Sequence, residues 1–430
     1  MKLKKLFYFI SFVCLTLLLA HFGKEHHRQF PLGDWRSELW ADNAGYYIYL
    51  PATFIYNFDA SKIPETYIKN SGLGFWPDSA GKIFTRYTYG VALAEAPFFL
   101  VNHLNQKIRG SSTDGFSETY NRCIDDAAAF YACLGIFTLI LFLKKYYGTR
   151  AGILATITLF FGTGLYYYTI ISPGMAHIYT FGLFGLYLLI AQKFISDPSQ
   201  GKLISLFILT SIMILVRPTN ALFASILFFI EINSWKEFIT RLRLIFTVKN
   251  TLVLILILSV FMFPQCLYWH YISGKYIYYS YQEATFTNLF NPKIVEVLFS
   301  ASNSLLFYGP VNIFILSSVL MYFNNPGWQN KMPLILLSIM IYLTASWFTW
   351  NFGCSYGARN LTEWLIIAAI PWAAFWKKLF QENDTVKIYF IALILVCVCW
   401  NLTLIRNFPG CWKGKGDWDY THYYNLFYFY

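Results

Sequence analysis

The feature that most limits what this chain can fold into is its succession of long apolar runs. They fall at 6–20, 125–143, 150–171, 175–194, 202–216, 218–232, 250–271, 303–322, 331–349, 360–376 and 386–405. Several reach about 18 residues, enough to cross ~30 Å of hydrocarbon at ~1.5 Å per residue. One water-soluble core could not use so much apolar length. Charged residues make up only 13% of the 430 positions, against about 25% in soluble domains, and mean hydropathy is +0.45. The pattern predicts an all-α polytopic membrane protein of about eleven transmembrane helices, forming a single domain over 1–430.

The formal net charge of +11 would suit a phosphate backbone. In a bilayer protein it reads instead as the positive-inside bias, so the expected partner is the lipid bilayer and no nucleic acid. Met1–Lys5 is a basic start before the first apolar run, and Leu18-Leu19-Ala20 lacks a small-x-small cleavage site. An uncleaved anchor with a cytoplasmic N-terminus is expected. Threading from there puts the basic loops around Lys144/Lys145, Lys193/Lys202, Arg241/Arg243, Lys331 and Lys377/Lys378 on the cytoplasmic side. Val91–Leu104 is short and broken by Glu95 and Pro97; it reads as interfacial or re-entrant, because counting it as a span would invert every basic loop. The large first outer loop then covers about 23–124 and an outer tail about 406–430. The location is an inner or plasma membrane, multi-pass, with the working face extracytoplasmic.

Threading also gives each unusual polar residue a side. Asp34, Glu38, Asp42, Arg86 and Glu95 lie in the first outer loop. His177 lies in SPGMAH, Arg217 in VRPTN, and Arg359 and Glu363 in SYGARNLTEW. All fall at the outer face, although they come from four parts of the chain. Ionisable groups close to hydrocarbon are expensive and often functional. Asp125 and Asp126 open a helix, where its dipole favours carboxylates, and read as structural. Asp42, in WADNAGYYIYLPA beside Tyr46 and Tyr47, can serve as a base toward an incoming hydroxyl; the competing reading is a loop carboxylate in a turn. Most of the eight cysteines lie in apolar runs and act as small hydrophobes. Neither a disulfide framework nor a metal centre is expected.

The short N-terminus, single span and large outer loop with an early acidic motif resemble the GT-C glycosyltransferases, which include protein O-mannosyltransferases and lipid A aminoarabinose transferases. Asp42 in ADNAGYY matches that family's first-loop acid. RYTYG (Arg86–Gly90) before APFF is similar to its basic segment, and VRPTN and SYGARNLTE look like motifs of bacterial members. Asn43 stands where many members have a second acid, and Tyr87-Thr88 where two prolines are common.

The resemblance implies a polyprenyl-phosphate-linked sugar as donor substrate and a protein, lipid or glycan acceptor on the outer face. Asp42 would be the catalytic base and the transfer inverting, with no metal or other cofactor required. Arg86, Arg359 and Arg217 would hold the donor phosphate, since bidentate arginines suit a leaving phosphate. Tyr46, Tyr47, Tyr87, Glu95, His177 and Glu363 are the expected substrate contacts. The rival readings are a transporter or flippase of lipid-linked sugars, and an O-antigen ligase or polymerase. A flippase would place ionisable groups near mid-membrane, and a ligase would carry its large outer loop late in the chain.

Overall fold

The computed structural model describes the backbone of residues 2–428 and the side chains from residue 6 onward. The basic side chains of the expected N-terminal start and the last two residues of the tail lie outside the described residues. The chain is predominantly helical. The described strands are two-residue pieces, Trp76–Pro77 and Ile83–Phe84, paired antiparallel.

Five helices are long and apolar enough to cross a membrane. They are α1 (Lys2–His27), α4 (Glu118–Tyr147), α7 (Ala176–Ser196), α9 (Val248–Ser273) and α10 (Asp384–Asn407). Between α1 and α4 lie the short α2 (Asp42–Tyr47) and α3 (Gly90–Arg109). After α4 come α5 (Thr149–Gly162) and α6 (Leu165–Ile170); α8 (Gln200–Val216) precedes α9. The run 150–171 is thus split, with Thr163 and Gly164 between its two helices, and 218–232 begins as a tightly wound 3₁₀ segment, Pro218–Phe228. The run at 91–104 falls within α3, whose Pro97 interrupts its backbone ladder.

α4 and α7 form the centre of the bundle. Of their most apolar windows 61% and 78% are buried, whereas for α9 only 11% is. Leu252, Leu256, Val260 and Phe263 of α9 therefore present an apolar face outward, as a lipid-facing helix does. Close approach at the centre depends on small residues, because lipid provides little hydrophobic drive for helix association. A Cβ on Gly182 of α7 would come within 2.7 Å of the Tyr131 carbonyl oxygen on α4, and one on Gly135 within 2.3 Å of the Phe181 ring. A second apolar cluster, with Tyr47, Phe99, Phe116 and Tyr120, forms under the connection between α1 and α4. The fold is that of an all-α membrane protein, with an ordered cap over one end of its helices.

One expectation is overturned. Cys354 and Cys411 form a disulfide across 57 residues, joining the NFGCSYGAR loop to the C-terminal tail. These two lie outside the apolar runs, where a cysteine is not consumed by core packing. Their pairing is a tertiary event that spacing does not announce.

Candidate functional site

Asp42 sits in the first turn of α2. The residue before it, Ala41, holds φ at 49°, an unfavourable conformation for a residue with a Cβ and one that collects at functional sites. The Ser172–His177 loop packs directly on this turn. Gly174 lies so close to Asn43 that a Cβ would meet the Asn43 Cβ at 2.7 Å, and the Asn43 amide donates to the Ser172 hydroxyl at 3.4 Å. Two segments more than a hundred residues apart are thereby held in contact.

The Asp42 carboxylate receives two donors. The Tyr87 hydroxyl donates to Oδ1, and Arg359 Nη2 lies 3.0 Å from Oδ2. Tyr87 packs in turn against Tyr46, the rings tilted with centroids 4.3 Å apart. Arg359 is brought in by a loop that turns at Gly353 and Gly357, with φ of 65° and 61°, values that glycine adopts without penalty. Its guanidinium also lies over the Phe352 ring. Burial pushes the Asp42 carboxyl upward, but Arg359, the Tyr87 hydroxyl and Arg217 outweigh it and hold it below the usual carboxylate range.

Beside this pair is a buried second group. Arg217 Nη1 donates to Asn360 Oδ1 at 2.8 Å and lies 3.4 Å from Glu363 Oε1. Its Nη2 lies 3.3 Å from His177 Nε2. A guanidinium only donates, so Nε2 is the acceptor and Nδ1 carries the ring proton, which it gives to Glu363 Oε2 at 2.7 Å. The His177 and Glu363 side chains are fully buried. Glu363 and His177 thus orient Arg217 from below.

A cavity of about 1190 Å³ opens beside these groups, lined by Asp42 and Arg359 together with Trp35, Arg36, Tyr167 and Lys413. The disulfide borders the same space. Arg359 Nε is buried and has no hydrogen-bond partner among the described residues. The site thus combines a carboxylate held in its charged form, a guanidinium with a spare donor, and an aromatic, cationic wall.

Other residues singled out from the sequence lie elsewhere. Tyr47 points into the second apolar cluster, fully buried, its hydroxyl given to the Gly115 carbonyl at 2.7 Å. It packs the cap and does not line the cavity. Glu95 is buried on α3 and accepts from the Tyr179 hydroxyl at 2.8 Å. Arg86 is half-buried, its guanidinium over the Trp76 ring, and has no ion pair among the described residues. Asp34 is engaged by Arg36 at 2.8 Å. Asn360, Trp35 and Lys413 were not anticipated. Asn360 is signalled only by its place next to Arg359, and the other two by nothing local.

Comparison of the sequence with known protein-family models and with curated proteins gives no match. What defines the class is therefore the fold and the site: an all-α membrane protein with an arginine–carboxylate centre at one end of its bundle.

Proposed function

We propose that this chain is an integral-membrane glycosyltransferase of the GT-C type, with about eleven spans. It would move a sugar from a polyprenyl-phosphate donor to an acceptor hydroxyl on the extracytoplasmic face. The observation that carries the reading is Arg359. One of its nitrogens holds Asp42 while its Nε has no partner, and it lines a large cavity with aromatic and cationic walls. The acceptor oxygen attacks the anomeric carbon as Asp42 takes its proton. The bond from that carbon to the phosphate oxygen breaks on the opposite face, giving inversion and releasing polyprenyl phosphate. Negative charge grows on the leaving phosphate, where preorganised donors are most effective. Arg359 and Arg217 are the candidates for that role; Arg86 does not line the cavity.

The Cys354–Cys411 bond supports the proposed sidedness, since disulfides persist in oxidising compartments. Purification in detergent followed by mass spectrometry of co-purifying lipids, with transfer assayed on the lipids recovered, tests the reading. Polyprenyl-phosphate sugar bound to the wild type and depleted in Arg359→Ala is expected. A wild type that neither retains nor turns over any such lipid would overturn it.

A further inference from the structure

A second polar cluster lies where α1 ends and α4 begins. His27 closes α1, Asp125 lies near the start of α4, and Glu38 comes from the loop between them. All three are buried, with 1% or less of each residue exposed. Potential ligand atoms of the three lie within 4.8 Å of one another. His27 Nδ1 is 2.9 Å from Asp125 Oδ1 and 3.9 Å from a Glu38 oxygen. None of them shares a hydrogen bond or ion pair with Asp42, Arg359 or Arg217 among the described residues.

Three observations bear on what this cluster could hold. The first is unused lone pairs. Asp125 Oδ2 and Glu38 Oε2 are buried without a hydrogen-bond partner, and Asp125 Oδ1 meets only His27 Nδ1; each group left unsatisfied costs about 1–3 kcal/mol. The second is the tautomer. His27 Nε2 faces the Ile171 carbonyl at 3.4 Å, to which it can only donate, and this leaves Nδ1 directed at the two carboxylates. Histidines that bind metals are held in this way, by a carbonyl on the far nitrogen.

The third observation is charge. Arg122 pairs with Glu38 and, more loosely, with the exposed Glu118, so two buried carboxylates, Glu38 and Asp125, face one guanidinium. The neighbouring Asp126 is paired with Lys24 at 2.6 Å. One buried negative charge is left over. A proton on His27 would offset it and engage one carboxylate oxygen, whereas a divalent cation would offset it and engage all three side chains.

We propose that His27, Glu38 and Asp125 form a binding site for a divalent first-row transition ion of the zinc class. A tetrahedral zinc with bonds of ~2.0–2.2 Å places its ligand atoms ~3.3–3.6 Å apart, between the two separations found here. One imidazole with two carboxylates suits zinc better than magnesium or calcium, which take oxygen ligands and more of them. The ion would tie the end of α1, the loop and the start of α4 into one unit. Glu38 lies four residues before Asp42, so the ion would hold the loop that presents the base. Its role is positioning, and the site stands whatever reaction the cavity supports.

Full-length protein, purified in detergent through a tag without histidine, is treated with chelator and dialysed against metal-free buffer. Zn²⁺ or Co²⁺ is then added, and bound metal is measured by elemental analysis. About one equivalent per chain is expected, with visible Co²⁺ bands of tetrahedral intensity. His27→Gln and Asp125→Asn should weaken affinity at least ~10-fold, while Asp126→Asn should keep it. Where a ligand variant does not fold, the wild type decides: Zn²⁺ should raise its melting temperature after chelation. No metal uptake by the wild type, uptake unchanged in folded ligand variants, or binding of Mg²⁺ or Ca²⁺ alone would each overturn the proposal.

Discussion

Replacing Arg359 with alanine removes the strongest positive partner of Asp42, and the pH dependence of the proposed transfer should register it. The 3.0 Å contact joins side chains 14% and 29% exposed, so solvent screens it only in part. A hydrogen bond to a charged group contributes ~1.5–3 kcal/mol, and ~1.4 kcal/mol corresponds to one pKa unit. Loss of Arg359 should therefore raise the Asp42 pKa, because burial, which pushes it upward, is then opposed chiefly by Tyr87 and Arg217. A carboxylate in the proposed role of base works only when ionised. In the wild type, kcat/KM should hold down to below the usual carboxylate range and fall as pH drops through the Asp42 pKa. In Arg359→Ala the same limb should appear at higher pH, and in Arg359→Lys between the two. The profile of kcat/KM is the right readout because it reports groups of the free enzyme. Raising the pH should then recover part of the variant's activity. An acid limb that coincides in wild type and alanine variant would refute the assignment of Asp42 as the titrating base held by Arg359.

Asp42→Asn keeps the side chain's size but cannot take the proton, so turnover should fall ~10²–10⁴-fold while detergent extraction and melting stay near wild type. Glu363→Gln leaves Arg217 and His177 in a buried site without their anion. Breaking a buried pair costs about 3–5 kcal/mol, which a thermal melt in detergent would detect as a clear destabilisation. Cys354→Ser opens a loop of 57 residues, for which chain entropy predicts a loss of about 4 kcal/mol; reducing agent should lower the melting temperature of the wild type and not of the variant. Cysteines placed at Lys62, Lys107 and Lys275 should react with an impermeant reagent from outside, and one at Arg243 only after permeabilisation. Cytoplasmic Lys107 would make α3 a true span and invert the proposed sidedness.

Much of the architecture was legible in the sequence because the bilayer imposes a length rule. A helix as apolar as α4 or α9 has few other places to go, and 13% charged residues exclude an ordinary soluble core. The short, broken run at 91–104 could be told from these by its Glu95 and Pro97. Asp42 and Arg359 stood out because a charged residue beside an apolar run is costly and invites explanation. What each one touches was not legible, since contacts between residues hundreds of positions apart depend on packing. Arg86 looked the better phosphate ligand by its place in the first loop, yet its guanidinium lies over Trp76 and Arg359 meets the carboxylate. Tyr47 and Tyr46 are adjacent in sequence. A helix turns successive side chains by about 100°, which sends Tyr47 into the apolar cluster and Tyr46 to Tyr87. The Cys354–Cys411 bond and the His27–Glu38–Asp125 cluster were invisible for the same reason. Local composition determined that the chain enters a membrane and roughly where; only the tertiary structure decided which charges meet, because a meeting requires both partners to be held at a few ångströms by elements that know nothing of each other in sequence.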